Sequence, residues 1–152
     1  MYKQMLKLFI IIFSIFFIQN NSFSKDEYFL TLRYDKVNLR QGPSREYPIK
    51  IFYKKKFLPV IIKDKSGNFR KIIDHENNTG WIHRSMLSSK KAALVSKNKS
   101  LIFNRPTAFS KPLVILEKGR LCLITKCKKD WCKIKVGKYK GWIKKDSLWG
   151  KL

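Results

Sequence analysis

Residues 79–87 read TGWIHRSML, and residues 140–148 read KGWIKKDSL. In both, Gly-Trp-Ile precedes a basic residue, and Leu87 and Leu148 close the match at a common offset of 61. Self-similarity of this kind marks a repeated structural unit. Outward from the Gly-Trp pairs, Phe69 and Trp131 stand eleven and ten residues upstream. Farther out, Pro48-Ile49 aligns with Pro112-Leu113, and Val37-Asn38-Leu39-Arg40 with Leu101-Ile102-Phe103-Asn104, so the offset widens to 64, as short loop insertions require. The 152 residues are 44% apolar. Independent cores exist down to about 55–65 residues, so a repeat of this length divides the chain into two small domains.

The runs VNLR, IKIFY, LPVIIK, FRKII and GWIH are short and rich in Ile, Val, Phe and Trp. Turn chemistry separates them: Gly42-Pro43-Ser44, Ser66-Gly67-Asn68, Asn77-Asn78. Strands so closely spaced, with no segment of helical period after Ile18, indicate an all-β chain of small barrels or sandwiches.

The first residues follow another logic. Lys3 and Lys7 precede an apolar run from Leu8 to Ile18, and Ser22-Phe23-Ser24 supplies small residues for a cut after Ser24. That is the order of a secretory signal peptide. The run of 11 residues falls short of the about 20 needed to cross a bilayer. The division expected is a signal peptide over 1–24 and domains over 25–90 and 91–152, with an uncleaved membrane anchor as the alternative. The mature chain carries no transmembrane helix on this reading, and its location is periplasmic.

With the strands and turns in view, KVNLRQGPSREYPIKIFYKKKFLPVIIKDKSGNFRKI followed by TGWIHRSMLSSKKAALV resembles the bacterial SH3-like domain, in the two-copy exported form of Gram-negative bacteria. WCKIKVGKYKGWIKKDSLWG carries the resemblance into the second copy, so that it covers about residues 29–150. It implies two tandem SH3-like barrels and a binding or targeting module that holds peptidoglycan or a protein partner. Two departures stand out: Asn104-Arg105-Pro106 replaces the Leu-Arg-x-Gly-Pro run, and Phe57 occupies a position where the family often has glycine.

Export bears on the three cysteines, Cys122, Cys127 and Cys132, because thiols in an oxidising compartment pair. Their spacing matches no zinc pattern, so no metal and no cofactor are expected. RLCLITKC and CKIKVGKY read as the arms of a hairpin that brings Cys127 opposite Cys132, at a Cα separation near the roughly 5.5 Å a disulfide accepts. Cys122 is then the odd thiol, buried as a small hydrophobe or paired with another molecule.

No catalytic constellation emerges. His75 and His83 are the only histidines and lie in the first copy, whereas the cysteines lie in the second. No Gly-x-Ser-x-Gly elbow occurs, and the second copy's acids, Glu117, Asp130 and Asp146, stand isolated among lysines. The expectation is a protein that is not an enzyme.

Lysine and arginine number 34 against 10 acidic residues. Residues 25–90 hold 15 basic and 7 acidic residues and residues 91–152 hold 17 and 3, or +8 and +14. Such a field draws anionic partners in a salt-dependent way. Yet lysine outnumbers arginine 27 to 7, and isoleucine outnumbers alanine 17 to 3, a slant typical of AT-rich coding. Arginine, the bidentate reader of phosphate and guanine, is scarce. Nucleic acid is therefore the less favoured partner, behind an anionic envelope surface, the cell wall or an envelope protein. Lys54-Lys55-Lys56 and Lys144-Lys145 are the densest patches.

Arg40, Tyr47, Trp81 and His83 are the candidate ligand-groove residues, since a guanidinium, two aromatic rings and an imidazole can read an extended peptide or glycan. Strand alternation puts Trp81 and His83 on one face and Ile82 on the other. Trp81 and Trp142 read first as core or rim residues, and Trp131 as a shield for the disulfide. Three functions follow: an exported binding module for peptidoglycan or another envelope component, a structural subunit of an envelope complex, or a non-specific binder of anionic polymers.

Overall fold

The structure is a computed structural model that describes residues 27–152, so the expected signal peptide and its cut at Ser24 lie outside the described residues. The first repeat contributes β1 (Tyr28–Leu32), β2 (Val37–Arg40), β3 (Ile49–Tyr53), β4 (Pro59–Ser66), β5 (Phe69–Ile73), β6 (Thr79–His83) and β7 (Leu87–Ser88). The second contributes β8 (Ala92–Val95), β9 (Ser100–Phe103), β10 (Pro112–Leu116), β11 (Leu121–Lys128), β12 (Trp131–Val136), β13 (Tyr139–Lys144) and β14 (Leu148–Gly150). The sheets are antiparallel and topologically identical, ordered β3-β2-β6-β5-β4-β1-β7 and β10-β9-β13-β12-β11-β8-β14. A single 3-10 turn closes each copy, at Arg84–Met86 and Lys145–Ser147. The chain is thus all-β, as two tandem SH3-like barrels require.

Alternation builds each core. Val37, Leu39, Ile72 and Ile82 point into the first barrel, and Ile102, Ile134 and Ile143 into the second. The longest strands, β4 and β11, carry a register shift at the same place, between Ile62 and Asp64 and between Ile124 and Lys126. A bulge there bends the strand so that one sheet can curl around its own core.

The pairing corrects the front of the repeat. Asn38 faces Phe52, as Leu101 faces Ile115, and Arg40 faces Trp81, as Phe103 faces Trp142. Leu39 therefore corresponds to Ile102, both fully buried, with an offset of 63 rather than 64. A one-residue slip would have turned the core positions outward.

The barrels are joined by packing as well as by chain. All four residues of β8 are buried, and Leu94 belongs to the core of the first barrel although its strand belongs to the second. Leu121 and Trp149 pack on that same core, with Phe29 edge-on to Trp149 at 5.0 Å. A domain of about 60 residues buries too little apolar surface to be strongly stable alone, and this shared seam compensates.

Candidate functional site

The doubled Gly-Trp is a crossing point. At Gly80 an added Cβ would lie 2.7 Å from the Arg40 carbonyl oxygen and from Leu39 Cγ. At Gly141 it would lie 2.4 Å from Ile102 and 2.7 Å from the Phe103 carbonyl oxygen. Glycine is what lets β6 pass over β2, and β13 over β9. The strand then alternates as expected: Ile82 and Ile143 are buried, while Trp81, His83 and Trp142 are half-buried on the outer face. Neither Trp81 nor Trp142 joins a core cluster, so both are rim residues; Lys126 Nζ sits 5.8 Å over the Trp142 ring.

A cleft of about 280 Å³ opens beside this crossing in the first barrel, lined by Lys36, Asn38, Arg40, Arg45, Phe69, His83 and Met86. Phe69 and His83 are cross-strand neighbours with rings edge to face at 5.1 Å. His83 Nδ1 accepts from the Ser85 backbone N–H at 3.3 Å and lies 2.7 Å from Ser85 Oγ, which caps the 3-10 turn. Arg40 donates to the Tyr47 carbonyl oxygen at 2.8 Å, which fixes its guanidinium along the cleft wall. Three cationic residues, an aromatic ring and an imidazole thus face one opening.

The second barrel has a cleft that overlaps this one in place, Ala108, Trp131 and Lys144 standing where Arg45, Phe69 and His83 stand; it measures about 750 Å³ and is lined besides by Pro106, Thr107, Asp130, Lys145, Asp146 and Leu152. Trp131 pairs with Lys144 as Phe69 pairs with His83. Trp131 lies edge-on to Phe103 at 5.6 Å. Lys97 donates to Asp146 at 2.6 Å and, with the Ser147 hydroxyl, holds that carboxyl below its ordinary value. Asp146 is therefore ionised and paired with Lys97, which leaves Lys144 and Lys145 against Asp130 as the remaining charges of the cleft.

Of the candidate groove residues, Arg40 and His83 line the first cleft together. Tyr47 lies outside its lining, its ring folded over Gly42, where an added Cβ would lie 2.5 Å away. Trp81 is paired with Arg40 but is not a lining residue. The second cleft was missed, because Asn104-Arg105-Pro106 departs from the first copy's sequence. The signal available was the Phe69–Trp131 correspondence.

The hairpin places Cys127 opposite Cys132 in a disulfide with Cα atoms 4.0 Å apart, closer than the expected separation. Cys132 points into the core, and Trp131 lies edge-on to Phe103. Cys122 is buried and free, its thiol pushed up to about 11 by burial against a smaller pull from Arg120. Among the described residues, no three His, Cys, Asp or Glu side chains gather as a metal site, and no helix is long and apolar enough to cross a membrane.

The description "Bacterial SH3 domain" matches residues 33–89 and again residues 96–150. The chain belongs to the bacterial SH3 domain family. Its two matches coincide with the two barrels and the shared topology. Among solved structures it is similar to NlpC2 and NlpC1 from Trichomonas vaginalis, each at 15% identity and TM-score 0.38, over 84% and 86% of this chain and 49% and 48% of theirs. It is also similar to an NlpC/P60 family protein from Bacillus cereus, at 12% identity and TM-score 0.37, over 80% of this chain and 55% of that one. The chain thus spans about half the length of these proteins, and likenesses of this strength carry no argument about function. No curated protein matches. The two clefts overlap at the fifth strand and its partner, Phe69 with His83 and Trp131 with Lys144, but the first extends along β2 and the second over the loop after β9.

Proposed function

We propose that the protein is a non-catalytic binding module of the bacterial cell envelope, working outside the cytoplasm, whose paired clefts hold peptidoglycan. The observation that supports this is that each barrel opens a cleft beside the residue that starts its fifth strand (Phe69, Trp131), with cations drawn from different positions in the two copies: Lys36, Arg40 and Arg45 in the first, Lys144 and Lys145 in the second. The half-buried Trp131 offers a ring face to a sugar or an apolar peptide side chain, the buried Phe69 backs the His83 imidazole instead, and a fixed cation meets the carboxylates of peptide stems. The test is retention of the purified protein on isolated peptidoglycan at low and high salt, beside Arg40→Ala and Trp131→Ala. Groove recognition keeps wild-type binding at high salt and loses it in the variants. Binding that vanishes with salt and ignores both variants belongs to a non-specific binder of anionic polymers.

A structural role in an envelope complex is the second reading. Leu101 and Ile115 face each other across β9 and β10 at 40% and 54% exposure, and β10 is an edge strand. An exposed apolar pair on an unpaired edge suits strand addition by another protein. Crosslinking in the periplasm that captures a protein through β10, with no retention on peptidoglycan, would favour this reading.

A further inference from the structure

The loops after β2 and β9 have the same length and the same closure. Gln41 N–H donates to the Pro48 carbonyl at 3.0 Å, and Asn104 N–H donates to the Lys111 carbonyl at 3.0 Å. Inside that common frame the aromatic residue is handled in opposite ways. In the first loop Tyr47 lies back over Gly42. In the second, Arg105 stands at the glycine position and Ser110 at the tyrosine position, and the ring has moved one residue earlier, to Phe109, which is 100% exposed.

Phe109 does not sit on a loose loop. Ser110 Oγ accepts from Arg105 N–H at 3.2 Å and lies 3.1 and 3.0 Å from the Arg105 and Thr107 carbonyls, which share its one proton. Phe109 N–H donates to Thr107 Oγ1 at 3.3 Å. The hydroxyl of Ser110 thus knots the loop from inside and holds the phenyl ring out in water, where it gains no burial.

Arg105 and Lys111 flank the ring in sequence, and the loop's Pro106, Thr107 and Ala108 share the cleft with Lys144 and Lys145. Of the cleft's two acids, Asp146 is engaged by Lys97. We propose that this loop docks the second barrel on a lipid bilayer that contains anionic phospholipid, with Phe109 entering the interfacial zone and Arg105, Lys111, Lys144 and Lys145 meeting the headgroups. An exposed phenyl ring on a loop that carries Arg105 and Lys111 and shares a cleft with Lys144 and Lys145 is what a bilayer interface rewards, since aromatic side chains partition there and each nearby cation adds attraction to anionic headgroups. A protein interface would instead bury a continuous apolar centre and is depleted of lysine. The sugar and peptide chemistry of the clefts does not require an apolar tip standing clear of them, so Phe109 is the part of this surface that peptidoglycan binding does not use, while Lys144 and Lys145 belong to both.

The test is co-sedimentation of the full protein with vesicles of phosphatidylcholine alone and of equal parts phosphatidylcholine and phosphatidylglycerol, at low and high salt, with peptidoglycan retention measured in parallel. The expected result is binding to the anionic vesicles only, weakened by salt, and reduced roughly tenfold or more in Phe109→Ser, the loss that fits removing one buried phenyl ring. Phe109→Ser should fold normally, because the ring touches nothing it would leave behind, and should bind peptidoglycan as the wild type does. Wild-type affinity of Phe109→Ser for anionic vesicles would overturn the proposal and leave plain charge attraction. Absence of wild-type vesicle binding would also overturn it and assign Phe109 to a protein partner. Loss of peptidoglycan retention in both proteins, with vesicle binding intact, would sink the cleft reading alone.

Discussion

The two barrels share every strand pairing and both glycine crossings, yet where side chains face outward or meet at the barrel end they have diverged. Asn38, Arg40 and His83 on the first barrel correspond to Leu101, Phe103 and Lys144 on the second. Inside, Tyr53 and Asp74 correspond to Leu116 and Val136: a buried hydroxyl that donates to a carboxylate at 2.8 Å in one copy, two aliphatic chains in the other. Backbone approach at Gly80 and Gly141 leaves no room for alternatives. A face toward solvent, or a polar pair that an apolar pair can replace, tolerates them. The difference separates what the fold demands from what a ligand or a history selected.

The seam offers the strongest way to break the comparison. Leu94 belongs to the second barrel's β8 but packs in the first barrel's core. Leu94→Ala is expected to cost roughly 2–5 kcal/mol by leaving a cavity there. Urea unfolding followed by fluorescence and by far-UV dichroism should still show one coincident transition at lower denaturant. Two separate transitions in the wild type would mean that the barrels fold independently, and that the seam is contact without coupling.

Next comes the buried polar pair. Asp74 is 3% exposed and accepts from the Tyr53 hydroxyl, Asn78 Nδ2 and the backbone N–H groups of Glu76 and Asn78. Burial pushes its carboxyl upward, but the hydrogen bonds from Asn78, Tyr53 and Glu76 together outweigh it and leave the group below 3.8. Its contribution is therefore complete above pH 3.8 and lost as pH falls through the lower folded value. Tyr53 is raised by burial and by Asp74, so its contribution holds below pH 10.0 and fades above it. Asp74→Ala strands the Tyr53 hydroxyl and two amides and should cost about 3 kcal/mol near neutrality. Amide exchange should show the acid-dependent loosening in β3 and β5 but not in β10 and β12, where Leu116 and Val136 cannot titrate. Equal acid sensitivity in both copies would assign the effect to other groups.

The hairpin staple comes third. Cys127 and Cys132 close a loop with a sequence separation of 5, and chain entropy allots about 2 kcal/mol to so short a closure. The first barrel's matching hairpin has Lys65 opposite Arg70 and no staple. Reduction should lower the protein's urea midpoint by that amount and raise exchange at β11 and β12, leaving β4 and β5 unchanged. An unchanged midpoint on full reduction would mean that the turn at Lys129 already holds the register without it.

How much of this was legible in sequence follows the same division. The strands, the repeat, the hairpin opposing Cys127 to Cys132 and the shared face of Trp81 and His83 were readable because period-2 alternation and glycine punctuation are local. The front register was read one residue out, since LIFN is apolar at its first three positions and lacks the alternation of VNLR, so that only cross-strand partners fix which residue faces Ile115. Arg40 and His83 were chosen for their chemistry and do share a cleft. Tyr47 was chosen on the same grounds but turns back over Gly42, a tertiary contact that no propensity encodes. The second cleft and the exposed Phe109 escaped because their loop lost the Gly-Pro-Ser spelling while retaining its length.

The smallest expected effect concerns the turn that leads into each barrel's longest strand, β4 and β11. Phe57 has φ +64°, and the corresponding Gly119 has φ +81°. The left-handed region costs a residue with Cβ on the order of 1–2 kcal/mol, and glycine avoids that penalty. At Gly119 an added Cβ would meet nothing within 4 Å, so Gly119→Ala isolates the backbone term and should destabilise by about 1 kcal/mol. Phe57 persists because its N–H donates to the Leu32 carbonyl at 2.8 Å and its ring lies under Lys56, with Nζ 5.2 Å from the centroid. Phe57→Gly therefore trades relief of strain against lost side-chain contact and should shift stability by less than about 1 kcal/mol in either direction. Paired urea titrations of the two variants compare the copies at one backbone conformation. If Gly119→Ala were neutral, the second barrel's turn would be able to relax, and the phenylalanine at the same place in the first barrel would no longer require its neighbours to hold it.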